Sequence, residues 1–164
     1  MKRKRLTHTD AKGAARMVDV SAKGDTERVA RAGGHIRMKA ETLEAISRNS
    51  LAKGDVITVA KVAGIMAAKR TSDLIPLCHP LFLSEIKVVL MEDPALPGLR
   101  CESTVRTTGK TGVEMEAITA VAVTLITVYD MAKALDKDMQ INDICLLEKA
   151  GGRSGHWRRI GRKT

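Results

Sequence analysis

An α+β domain, with an antiparallel sheet and its helices on one face, is the fold this 164-residue sequence predicts. Three observations carry that expectation. Residues 99–108 alternate, with Leu99, Cys101, Ser103 and Val105 on one side and Arg100, Glu102, Thr104 and Arg106 on the other. That is the period of a strand with one buried face. Residues 113–135 read as a long helix built around the uncharged stretch Ala117–Tyr129. The elements then follow the order strand, helices, strand, strand, helix, strand, which is the split βαβ pattern of a ferredoxin-like βαββαβ sandwich.

Taken in order, residues 1–16 are polar and are expected to form a flexible basic segment, and Met17–Val20 a short extended piece. Residues 28–39 read as a strand with Ile36 and Met38 on one face and Arg37 and Lys39 on the other. Leu43 and Ile46, three apart, suit a short helix over 41–49. Asp55 is placed to cap a helix over 56–70 with an apolar stripe of Val56, Val59, Ala60, Ala63 and Ala67. Pro76 and Pro80 break regular structure over 71–80. Strands at 82–91 and 99–108 flank Asp93-Pro94 and Pro97-Gly98, turn chemistry that makes them an antiparallel hairpin. A last strand covers 140–148 and Gly151-Gly152 ends it, giving one domain over 17–156 and a basic tail over 157–164. Such a sandwich covers one face of its sheet with helices, so the other face predicts an oligomer.

Composition narrows the function classes. Phe82, Tyr129 and Trp157 are the only aromatics, so the core must be aliphatic. The net charge of +9 suggests a polyanion partner until it is located. Lys2, Arg3, Lys4 and Arg5, with Arg153, Arg158, Arg159, Arg162 and Lys163, account for all of it, and the body between is neutral. Basic ends without stacking aromatics do not make a reader of single strands, so nucleic acid is not the expected partner. Cys78, Cys101 and Cys145 lie far apart with no CxxC pair, which suits a reducing cytoplasm and neither a disulfide framework nor zinc. No apolar segment follows the basic start, so it does not read as a signal peptide. Ala117–Tyr129 falls short of the roughly 20 residues that span a bilayer and reads as a buried helix.

Two familiar motifs fail. Gly109-Lys110-Thr111 imitates the end of a phosphate-binding loop, but the earlier glycine that loop requires falls at Thr104. His79 beside Cys78 has no second ligand cluster, so neither a metal nor a resident cofactor is expected. What remains are polar segments at element ends, where sites form: Lys53-Gly54-Asp55, Lys69 to Pro80, Lys110 to Glu116, Asp130 with Lys133, and Lys149 to Gly155. Each admits an ordinary structural role. Asp130 and Lys133 make a surface helix pair, Glu114 and Glu116 complement a helix dipole, and His79 sits between Leu77 and Leu81 as a core histidine would.

Read together, AAKRTSDLIPLCHPL at 67–81, TGKTGVEMEA at 108–117 and YDMAKALDKDM at 129–139 resemble the cyclic pyranopterin monophosphate synthase family. The likeness extends from Leu6-Thr7-His8 through Met17–Ser21 to the glycine-rich ending at Gly155; Ser72 replaces a bulkier residue, and the basic residues before Leu6 and after Trp157 lie outside it. The resemblance implies a ferredoxin-like catalytic subunit assembled as a hexamer, a trimer of dimers, with active sites between subunits. It implies conversion of 3′,8-cyclo-7,8-dihydroguanosine 5′-triphosphate to cyclic pyranopterin monophosphate with release of diphosphate. By that likeness Asp130, Lys53 and Lys133 are catalytic. Leu77, Cys78, His79, Met115 and Glu116 match substrate-binding positions, and Arg28, Lys69, Glu114, Lys149 and Arg153 are further candidates for that pocket. Such a reaction needs proton donors and acceptors near neutral pH and cations against the leaving diphosphate. A carboxylate beside a lysine opposes the pKa lowering that a lysine base requires, so which way Lys133 shifts is left to the structure.

Overall fold

The computed structural model describes residues 17–153 and 155–160. The expected flexible segment 1–16 and positions 161–164 of the expected tail lie outside the described residues. The elements are β1 (Thr26–Arg37), α1 (Ala40–Ser47), α2 (Val56–Lys69), α3 (Thr71–Leu74), β2 (Glu85–Asp93), β3 (Gly98–Gly109), α4 (Glu114–Ala132), β4 (Gln140–Ala150) and β5 (Trp157–Arg158). The sheet order is β2-β3-β1-β4-β5 with every pairing antiparallel. This is the ferredoxin-like arrangement with one short strand added at the β4 edge.

Local chemistry explains most boundaries. Asp55 caps α2 as expected, its Oδ1 accepting from Thr58 N at 2.9 Å and its Oδ2 from Thr58 Oγ1 at 2.6 Å. At the β2–β3 turn, Asp93 Oδ1 accepts from Ala95 N at 3.1 Å and Leu96 N at 3.2 Å. A Cβ on Gly98 would stand 2.1 Å from the Ile36 carbonyl oxygen, so only glycine lets β3 start against β1. Alternation in β3 is as expected, with Leu99, Cys101, Ser103 and Val105 buried.

Helix α4 lies across β1, β3 and β4, and α2 packs mainly on α4. Ala117, Ala120, Val121, Leu125 and Val128 of α4 are fully buried, and a large aliphatic side chain so placed stabilises the fold by about 1.5–3 kcal/mol. Helix α4 has the length and apolarity of a membrane span, yet it is mostly buried as the core helix of this sandwich. Buried hydroxyls are matched along its inner face: Ser103 Oγ donates to the Ala117 carbonyl at 2.7 Å and Thr124 Oγ1 to that of Ala120 at 2.7 Å.

Three expectations are corrected. The buried face of α2 is Val56, Ala60, Gly64, Ala67 and Ala68, and Val59 from the expected stripe is 45% exposed. The reason is close approach: a Cβ on Gly64 would meet Thr124 Oγ1 at 2.0 Å, so α2 turns its smallest residues toward α4. Residues 71–74 form a helical turn before the proline break, because Thr71 Oγ1 donates back to Ala67 and Ala68 carbonyls at 3.3 and 3.1 Å. Trp157 and Arg158, in the expected tail, pair with Lys149 and Glu148, and Arg159 N donates to the Leu147 carbonyl at 2.8 Å.

The helix-free face of the sheet carries an ion network. Arg31 reaches Glu102 at 2.9 Å and Glu148 at 3.2 Å, and His156 Nε2 lies 2.8 Å from Glu148 Oε1.

Candidate active site

A cavity of about 680 Å³ opens beside the N-terminus of α4. Its floor is the start of that helix, with Glu114, Met115 and Glu116, and one wall is the Pro-broken segment carrying Ile75, Leu77, Cys78, His79 and Leu81. The sheet contributes Arg28 and Val29 from β1 and Lys149, Ala150 and Gly151 at the end of β4. Residues Lys110–Gly112 of the β3–α4 loop and Val18, Val20 and Lys23 from the segment before β1 complete it.

Arg28 organises two of these loops. Its Nε donates to the Gly109 carbonyl at 2.8 Å and its Nη2 to that of Lys110 at 3.1 Å. A Cβ on Gly152 would lie 2.1 Å from Arg28 Nη1, so the positive-φ turn at Gly152 is glycine because the guanidinium fills that space. Lys149 Nζ pairs with Glu114 Oε1 at 2.7 Å, both side chains about 30% exposed. Glu116, by contrast, is 4% exposed. Burial, with the Glu114 charge adding to it, pushes its carboxyl above the ordinary carboxylate range. Burial also pushes the Cys78 thiol up, as does Glu116, so Cys78 faces the cavity as a neutral thiol rather than a thiolate nucleophile. His79 Nε2 stands 2.9 Å from the Val18 carbonyl. A carbonyl only accepts, so Nε2 bears the hydrogen, and Nδ1 is the basic nitrogen of the neutral ring.

A second cluster lies at the other end of α4. Asp130 Oδ2 pairs with Lys53 Nζ at 3.0 Å, and Asp130 Oδ1 with Lys133 Nζ at 2.7 Å. Lys53 Nζ also donates to the Asp130 carbonyl at 2.8 Å. Hydrogen bonds from Lys133 and then Lys53 hold the Asp130 carboxyl down to about 2. The same pairing pushes the Lys133 ammonium up, which answers the question the sequence left open: within one subunit Lys133 is held more firmly as a cation, the opposite of what a lysine base needs. These three side chains are about half exposed, and none lines the cavity.

The residues expected from the sequence thus separate. Leu77, Cys78, His79, Met115, Glu116, Glu114, Arg28 and Lys149 converge on the cavity. Asp130, Lys53 and Lys133 converge on each other, one helix length away. Fourteen residues separate Glu116 from Asp130 on α4, about 21 Å at the helical rise. Lys69, exposed at the end of α2, and Arg153, exposed after β4, line neither place. Lys110 belongs to the polar segment Lys110 to Glu116 but was given no role of its own, and sequence reasoning missed Lys23 and the lining valines at 18 and 20; the signal available was that both valines lie within Met17–Ser21 and Lys23 just beyond it. Among the described residues, no group of three or more His, Cys, Asp or Glu side chains is arranged to hold a metal ion.

Comparison with known proteins matches the chain to a family. Residues 17–152 match the MoaC family. The proteins named cyclic pyranopterin monophosphate synthase from Brucella ovis and Brucella abortus are each 59% identical over 153 residues, which is 93% of this chain and 93% of theirs. The protein of the same name from Brucella canis is 58% identical over the same span. The family match takes in every element from β1 to β4, the cavity and the Lys53–Asp130–Lys133 cluster, and the chain belongs to the MoaC family.

Proposed function

We propose that this chain is a cyclic pyranopterin monophosphate synthase, a lyase of molybdenum cofactor biosynthesis. It converts 3′,8-cyclo-7,8-dihydroguanosine 5′-triphosphate to cyclic pyranopterin monophosphate and releases diphosphate. The similarity of nearly the whole chain to proteins of that name supports the activity. The observation that carries the reading of the site is the separation of the two clusters along α4. A cavity that gathers Arg28, Lys149 and a buried carboxyl can bind an anionic, guanine-derived substrate, yet the Lys53–Asp130–Lys133 group is about 21 Å away on the same rigid helix. Both can serve one substrate only if they come from two copies of the chain. We therefore place the active site between subunits of a homo-oligomer, with residues 17–156 as its catalytic domain; the family resemblance implies that this oligomer is a hexamer built as a trimer of dimers.

Role assignments follow from the electrostatics. Arg28 and Lys149, with Lys69 and Arg153 brought from the same or another copy, counter the triphosphate. The N-terminus of α4 has no side-chain cap, and its positive end adds to that field. Glu116, its carboxyl raised by burial, recognises the amino group of the guanine-derived ring, with Cys78, Leu77 and Met115 forming the apolar bed. His79, with a basic Nδ1, exchanges protons during ring opening and closure. Displacement at the α-phosphorus forms the cyclic phosphate and breaks the bond to the departing diphosphate. The Lys133 and Lys53 ammonium groups, oriented by Asp130, stabilise the charge that develops on it. Free thiols at Cys78, Cys101 and Cys145, with Cys101 pushed by burial up to about 12, suit a reducing cytoplasm.

Incubation of the protein with the cyclised dihydroguanosine triphosphate, following diphosphate and pterin together, tests the reading. Both products are expected, and both should vanish in Lys53→Ala with fold and assembly intact. Binding without either product would make the chain a ligand-binding module instead.

A further inference from the structure

Residues 17–25 form neither helix nor strand, yet they build one side of the cavity through Val18, Val20 and Lys23. They are braced internally: Ser21 N and Oγ both donate to Asp19 Oδ1, at 2.9 and 2.6 Å, and Lys23 N donates to the Val20 carbonyl at 3.0 Å. The segment is therefore a small preformed turn rather than a loose chain. Two side chains from other parts of the lining hold it. His79 Nε2 donates to the Val18 carbonyl at 2.9 Å, and Lys110 Nζ donates to the Ser21 carbonyl at 3.0 Å. Both of these side chains line the cavity themselves. The backbone of Lys110 is fixed in turn, since its carbonyl accepts from Arg28 Nη2 at 3.1 Å.

We infer that residues 17–25 are a strap across the cavity and that Lys110 is a positioning residue that latches it. Through that latch the strap sets Lys23 beside Arg28 and Lys149, so that three cations, from the strap, β1 and β4, surround the polyphosphate. Lys110 acts through the strap rather than on substrate: its ammonium donates to the Ser21 carbonyl, two residues before Lys23. This inference rests on the synthase reading for its substrate, though the latch itself does not.

The test uses full-length Lys110→Met, Lys110→Arg, Lys23→Met and Lys23→Met/Lys110→Met proteins. Amide hydrogen exchange over residues 19–25 is measured in each, with steady-state diphosphate release from the cyclised triphosphate. Lys110→Met is expected to speed strap exchange by about tenfold, the loss of one charge-assisted hydrogen bond. It should raise KM by about tenfold with kcat within about twofold, and Lys110→Arg should restore both. The double variant should be no worse than Lys23→Met alone, because a latch has nothing to position once Lys23 is gone. Unchanged strap exchange in Lys110→Met would overturn the proposal, and so would a double-variant KM equal to the product of the single effects, which would put Lys110 on the substrate. Should the protein fail to turn over the triphosphate, the exchange measurement would still decide the latch, while the synthase reading alone would fall.

Discussion

The two ends of α4 carry carboxyl groups in opposite states. At the first turn, Glu116 is buried against the cavity floor without a cationic partner, and its carboxyl is pushed up toward the protonated form. Four turns on, Asp130 is half exposed between two lysines and is held down to about 2. One helix thus presents a carboxyl suited to hydrogen-bond recognition or proton exchange, and another fixed as a charge that orients ammonium groups. The difference follows from placement. The N-terminal end is enclosed by the sheet, the Pro-broken segment and the strap, whereas at the C-terminal end the Asp130 side chain is half exposed beside Lys53 of the α1–α2 loop. Stability and function should therefore separate along this helix.

The largest effect is expected at the exposed end. Asp130→Ala and Lys133→Ala should each lower diphosphate release by about 10²–10⁴-fold, the scale of a lost proton-transfer or charge-stabilising group. Thermal stability should stay within about 0.5 kcal/mol of the parent, as exposed ion pairs contribute little. A large loss of stability with activity retained would reverse the comparison. Next, Lys149→Met at the enclosed end leaves Glu114 unpaired next to the triphosphate. It should raise KM by about tenfold to hundredfold while kcat falls less; an unchanged KM would remove Lys149 from the phosphate site.

Glu116→Gln sharpens the contrast through stability. Between the ordinary carboxylate value of 4.5 and its raised folded value, the folded protein keeps a proton that the unfolded chain releases. Stability therefore falls as pH rises through that window, and the penalty is full above it. Glu116→Gln should stabilise the fold at neutral pH, because it removes a charge that burial disfavours, and by nothing below the ordinary carboxylate range. Denaturant unfolding across pH measures this, and a gain that persists at low pH would assign it to packing instead. The smallest effect belongs to Asp130→Asn. A depressed carboxyl adds stability above its unfolded value of 3.8 that is lost as pH falls toward about 2, so this variant should show a shallower acid limb in that window alone.

How far these features were legible in the sequence depends on the kind of signal each leaves. The two faces of β3 could be read residue by residue, because strand alternation and burial coincide there. The Asp55 cap could be read because its chemistry is local. The buried side of α2 could not: tertiary contact selects Ala60, Gly64 and Ala67 for their small size, while hydrophobicity points equally to Val59, Val62 and Met66, which lie outside. Strand β5 has only two residues and no period to detect. For the site, the motifs contained the right side chains but not their grouping. The helix over 113–135 already put VEMEA at its start and YDMAK near its far end, but nothing local in either motif says which other segments gather at each end, and the strap residue Lys23 belongs to no periodic element at all.

Mixing Lys133→Ala with Glu116→Ala tests the central claim, that the two ends of α4 meet across subunits, most directly. Each variant alone should release almost no diphosphate. After subunit exchange in equal amounts, sites that combine an intact cavity from one copy with an intact lysine cluster from another should form, restoring roughly a quarter of parental activity by random pairing. Mixed oligomers that contain both variants, verified by native mass spectrometry, and still release no diphosphate would contradict it.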